Sequence, residues 1–132
     1  MTEIASLFPP DYATSRARFR QSLAFVRRAW PTAHLAQHAL NEDPALTIDW
    51  LQADALADRE RLLILTAGQH GIEAYVGTAM LQLFLQERLF HLDPERTGLL
   101  IVHAINPWGM AHRRRTNAEN VDLNRNFCWN PP

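Results

Sequence analysis

The apolar positions of the chain fall into two kinds of pattern, and each predicts an element. Phe19, Leu23, Val26 and Trp30 recur at spacings of four, three and four, which is the helical period. Pro9-Pro10-Asp11 supplies an entry to that helix, and Pro31 ends it. Ile72, Tyr75, Val76, Ala79, Met80, Leu83 and Phe84 predict a longer helix that stops near His91, where Asp93-Pro94 and Gly98 break it. Two continuous apolar runs, Leu62 to Leu65 and Leu99 to Ala104, are predicted as strands covered on both faces. Leu46 to Leu51 alternates and predicts an earlier strand, reached through a turn at Asn41-Glu42-Asp43-Pro44. Asp54 to Arg61 is a polar connection. Strand, crossover helix and strand together make a βαβ unit, so the fold class is α/β, with an expected right-handed crossover.

In open α/β sheets, ligands bind beyond the carboxyl ends of the strands. Gly68-Gln69-His70-Gly71-Ile72-Glu73 follows the first run, and Asn106-Pro107-Trp108-Gly109 follows the second. The two loops are therefore expected side by side. His70 and Glu73 can aim at one point, and imidazole and carboxylate are ordinary zinc ligands, with bonds of roughly 2.0–2.2 Å. A catalytic zinc takes three protein ligands as a rule, so the pair needs a third. Asn106 to Phe127 is a long polar stretch without clear structure of its own, and such stretches are often functional. Within it, Val121-Asp122-Leu123-Asn124-Arg125-Asn126-Phe127 interleaves apolar anchors with Asn and Arg. Arginine offers a fork of donors suited to carboxylates and to a developing oxyanion.

Other candidates have plain structural readings. His34 and His38, four apart, would share a helix face and chelate a metal, but in a strand or loop they never meet. Arg16, Arg18, Arg20, Arg27 and Arg28 read as a solvated helix face rather than an anion-reading patch. His103 reads as a core histidine with both nitrogens hydrogen-bonded. His112 lies beside the three arginines, within reach of the site, and His91 sits near a helix end.

The whole-chain properties narrow the classes. At 132 residues the chain has the size of one domain. A formal charge of −1 argues against general attraction to nucleic acid or an anionic membrane, and Arg113-Arg114-Arg115 is a small footprint for phosphate. All thirteen basic residues are arginine. Cys128 is alone and suits a reducing, cytoplasmic setting. Met1-Thr2-Glu3-Ile4 lacks the basic and apolar regions of a secretory leader, and no apolar run approaches a membrane span.

Three pieces in order, His70-Gly71-Ile72-Glu73, Asn106-Pro107-Trp108-Gly109 and Arg115-Thr116-Asn117 leading into Val121 to Phe127, resemble the zinc carboxypeptidase superfamily. The likeness is nearest to a bacterial branch of uncharacterised carboxypeptidase-like proteins. It implies a three-layer α/β/α fold with a mixed, mostly parallel sheet, incomplete at the C-terminus. Residues 1–132 would then be the N-terminal portion of a single catalytic domain. It implies Zn2+ held by His70 and Glu73, and Arg115 polarising the scissile carbonyl. It also implies Asn124 and Arg125 gripping a substrate carboxylate, with Asp122 holding the first zinc histidine. The implied partner is a peptide, or an acylated amino acid, with a free carboxylate.

The family's third zinc ligand and its general base lie further along than Phe127, so both are absent by position. The expectation is a truncated piece, a chain completed from elsewhere, or a non-catalytic relic. Exposed apolar surface and self-association would follow. Ile72 stands where several relatives carry a basic substrate-binding residue. That leaves peptide specificity open, with an N-acyl amino acid amidohydrolase as an alternative, while the missing ligand and base favour a non-catalytic carboxylate-binding module as another.

Overall fold

The computed structural model describes residues 4–128. Met1 to Glu3, on which the leader expectation partly rests, lie outside the described residues. The elements in order are α1 (Ile4–Leu7), α2 (Tyr12–Val26), β1 (His34–Ala39), β2 (Thr47–Ala53) and β3 (Arg61–Thr66). Then come α3 (Ala74–Glu87), a 3-10 turn at Leu89–His91, β4 (Thr97–His103) and α4 (Pro107–Ala111). α1 and α4 have no counterpart in the periodicity, because four and five residues are too few to show one. The Asn106 to Phe127 stretch is accordingly not structureless throughout.

Asp11 caps α2 in extended geometry, its Oδ1 accepting from the Thr14 N–H at 2.7 Å. This satisfies one of the free donors that every helix start leaves open. α2 ends at Val26, and the chain turns so that Trp30 is fully buried and donates from Nε1 to the Thr97 carbonyl. The Trp30 position thus belongs to the core without belonging to the helix.

The four strands form one mixed sheet in the order β1-β2-β4-β3. β1 pairs antiparallel with β2, β2 antiparallel with β4, and β3 parallel with β4. The parallel β3-α3-β4 unit is as expected, but antiparallel pairings outnumber it among the described residues. The core lies on one face of the sheet. Leu51 and Ala53 of β2 and Leu99 and Ile101 of β4 meet Phe19 and Val26 of α2 and Leu81 and Leu85 of α3. Both long helices therefore cover the same face, and the described residues supply two of the three expected layers.

β3 departs from its expectation of burial on both faces. It is the edge strand of this sheet, and Leu62 and Ile64 are 48% and 54% exposed. They pair in register with Gly98 and Leu100, on the face opposite the helices. α3 forms where the spacing predicts it, but its inward face overlaps the predicted stripe only in part. Ala79 is buried and Tyr75 and Phe84 pack against the core as predicted, but Ala74, Thr78, Leu81 and Leu85 are buried too, whereas Ile72, Val76 and Met80 are exposed. An apolar stripe on a second face of the same helix has the same period, so spacing alone does not say which faces the core.

Asp49 of β2 is fully buried and accepts from three sides. Arg16 Nε and Arg20 Nη1 of α2 reach Oδ2 at 3.3 and 3.2 Å, and the Thr47 hydroxyl bonds Oδ1. Arg16 and Arg20 are thus not merely solvated; they neutralise a carboxylate that would be costly to bury alone. His34 and His38 lie on exposed positions of β1, the strand arrangement that keeps them apart. His103 is buried, with Nε2 2.9 Å from Ser15 Oγ and its ring stacked on Phe19. Its Nδ1 has no hydrogen-bond partner, so the expectation that both nitrogens would be bonded fails. No helix among the described residues is long and apolar enough to cross a membrane.

Candidate functional site

Two loops leave the carboxyl ends of the parallel pair and stay together. The β3–β4 pairing continues past the strands, with the Ile105 and Asn106 N–H groups donating to the Ala67 and Gly68 carbonyls. Gly68 takes φ +72, and a Cβ there would come within 2.9 Å of both Ala104 and Ala74. Gly71 is more constrained. A Cβ on it would run into the backbone of Gly109 and Met110 in α4. The two loops touch backbone to backbone at this point, and only glycine permits it. Asn106 caps α4 through Oδ1 and the Gly109 N–H at 2.8 Å. The Ile72 N–H then donates to the Arg114 carbonyl, tying the first loop to the arginine segment. The two loops were expected side by side from their places after the strands, but not that they would meet backbone to backbone at Gly71 and Gly109.

This frame brings four of the six expected site residues together. His70 Nε2 lies 2.9 Å from Asp122 Oδ1, across 52 positions of sequence. His70 Nδ1 lies 3.3 Å from Glu73 Oε1. Arg115 bridges both acids, from Nε to Asp122 Oδ2 at 3.0 Å and from Nη1 to Glu73 Oε1 at 3.4 Å. Asn124 and Arg125 follow in a turn. The Asn124 N–H donates to Asp122 Oδ1, the Arg125 N–H to the Asp122 carbonyl, and the exposed Arg125 guanidinium to the Asn124 carbonyl. Their described bonds do not join either side chain to His70, Glu73 or Arg115. His112 stacks on Trp108, with Nδ1 2.9 Å from the Trp108 carbonyl, and does not complete the group.

Partial burial alone would raise the Asp122 pKa. Hydrogen bonds from Arg115, His70 and the Asn124 N–H, with the Arg115 charge, outweigh it and bring the carboxyl to about 2. Asp122 is therefore ionised in neutral solution and can only accept. The proton between it and His70 must sit on Nε2. In the neutral ring this leaves the Nδ1 lone pair facing the Glu73 carboxylate. Nδ1 and Glu73 Oε1 lie 3.3 Å apart, so either a proton on Nδ1 or a cation between them would join the two. The donor types and the tautomer thus fit two ligand positions of a zinc-like ion. No group of three or more His, Cys, Asp or Glu side chains among the described residues is arranged to hold a metal. The fit is to part of a coordination set.

Solved structures share the fold. The chain superposes on "Putative carboxypeptidase A" from Shewanella denitrificans OS-217 with a TM-score of 0.53 at 22% identity, over 83% of this chain and 30% of that one. It superposes on a metallo-carboxypeptidase from Burkholderia cenocepacia with a TM-score of 0.52 at 23% identity, over 83% and 31%. The fold is thus zinc-carboxypeptidase-like, and the chain spans about a third of the length of these structures. No curated protein matches the sequence. Residues 8–130 match a family throughout, and the chain belongs to that family, described as Protein of unknown function (DUF2817).

Proposed function

We propose that this chain carries part of the site of a zinc-dependent hydrolase that removes a C-terminal amino acid from a peptide. The observation that supports it is the His70 ring held through Nε2 by Asp122, with Nδ1 and the Glu73 carboxylate converging. In this reading His70 and Glu73 are metal ligands. When bound, the ion would lower the pKa of a water and polarise a carbonyl. Asp122 keeps the proton on Nε2 and fixes the ring plane, the usual work of a carboxylate behind a metal histidine. Arg115 donates to the oxygen on which charge develops, where fixed donors count most. Asn124 and Arg125 hold the carboxylate of the substrate. A third ligand and a general base have to come from outside the described residues. A cytoplasmic setting fits the lone Cys128.

A second reading is a non-catalytic carboxylate-binding module. The observation in its favour is the incomplete ligand set among the described residues. An N-acyl amino acid amidohydrolase is a variant of the first reading, separated from it by comparing peptides with acylated aspartate or glutamate.

The deciding experiment is zinc titration of the purified chain beside His70→Ala and Glu73→Ala. Zinc binding that both substitutions abolish supports the hydrolase reading. Zinc binding that neither changes overturns it. No zinc binding by the parent chain, with retained binding of a small carboxylate that Arg125→Ala removes, selects the binding module.

A further inference from the structure

A cleft of about 240 Å3 opens between the β1–β2 turn and the segment that carries Asp122. Pockets for drug-sized ligands run roughly 300–1,000 Å3, so this one suits a single side chain. Leu40, Ile105, Trp108 and Leu123 give it an apolar lining. Leu123 lies between Asp122 and Asn124, so the cleft backs directly onto the candidate site without including His70 or Glu73.

Its charge is one-sided. Glu42, Asp43 and Glu119 contribute to its wall, and no Arg or His does so. Glu119 is held in place, with Oε2 accepting from Asn117 Nδ2 at 2.8 Å and its N–H donating to Asn117 Oδ1. Three arginines of the neighbouring segment have partners outside the cleft, among them Arg125, which donates to the Asn124 carbonyl. Arg115 bridges Glu73 and Asp122, and Arg113 donates to the Pro10 carbonyl with its guanidinium near the Tyr75 ring. An apolar slot ringed by carboxylates complements a long aliphatic stem ending in a cation, which leaves its stem on the lining and its head at the rim.

We propose that this cleft binds the lysine or arginine side chain of a peptide. It would seat a basic residue next to the candidate site, whether or not that site hydrolyses anything.

The test is an NMR titration of the chain with Nα-acetyl-lysine N-methylamide, the norleucine analogue and the glutamate analogue. The expected result is saturable shifts at the Leu40, Ile105 and Leu123 methyls and the Trp108 indole. Norleucine should bind at least about fivefold more weakly and glutamate not measurably. Glu42→Gln with Glu119→Gln should weaken the lysine probe about fivefold or more, while leaving the rest of the spectrum in place. Added salt should weaken it too. Equal binding of norleucine, shifts confined to other residues, no saturable shift, or an unchanged affinity in the double variant would each overturn the proposal. Zinc binding at His70 is read separately, so its failure does not bear on this one.

Discussion

Asp122 Oδ1 and His70 Nε2 sit 2.9 Å apart, and the same carboxylate takes an Arg115 donor on its other oxygen. One acid thus orients both the proposed ligand and the proposed oxyanion donor. Asp122→Asn keeps an acceptor but removes the charge. Zinc affinity should fall about 10–100-fold. A competition titration against a zinc indicator measures it, and an unchanged affinity would show that Asp122 is only a fold contact.

Acid should weaken the fold through His103. Burial lowers its pKa from 6.5 to about 4, the Asp49 charge opposing this and Arg16 adding to it. The folded ring stays neutral where the unfolded one takes up a proton, so the unfolded state binds more protons between those values. Stability is complete above about pH 7 and declines as pH falls to about 4, by about 3 kcal/mol. Asp122 adds to the loss only lower, as pH falls from 3.8 towards about 2. Urea denaturation from pH 4 to 7 would show the slope, and His103→Gln should flatten it.

Gly71→Ala should disturb the two-loop contact severely. The new methyl meets backbone rather than a side chain that can swing away. The loss should be about 1–3 kcal/mol or more. Thermal denaturation reads the stability, and the Ile72 amide, bonded to Arg114, reports the loop by hydrogen exchange. Normal stability and unchanged exchange would mean that α4 can shift freely.

Asp49→Ala leaves Arg16 and Arg20 without their buried partner. The expected loss is about 1–2 kcal/mol, the scale of lost charge-assisted hydrogen bonds, because the arginines left behind are partly exposed. Chemical denaturation measures it. A loss under about 1 kcal/mol would mean that solvent screens the pair.

The exposed edge strand invites pairing with another chain, since among the described residues β3 pairs on one side only and exposes Leu62 and Ile64. We expect concentration-dependent association that Leu62→Lys with Ile64→Lys reduces. Sedimentation velocity over a tenfold concentration range would decide. A monomer throughout would refute the expectation.

The βαβ unit was legible because α3 has a long, regular apolar period and β4, which lies inside the sheet on both edges, reads as continuous apolar sequence. β3 has the same signature but an open edge, and a run of leucines does not record how many neighbours the strand has. The inward stripe of α3 was hidden in part because it uses Ala74 and Thr78, small residues that let the helix sit close, while bulkier Val76 and Met80 point out. At the site, charged residues announced themselves by type. The contact of Gly71 with α4 did not, because a missing side chain leaves no chemical mark.

That contact has a mechanical result. The segment bearing His70 and Glu73 and the segment leading into Arg115 share a backbone junction, so neither can shift far alone. Anything that stiffens one should stiffen the other. In the proposed reading, metal at His70 and Glu73 and an anion at Arg115 would then be linked equilibria. Each should tighten the other by the same factor, as reciprocity requires.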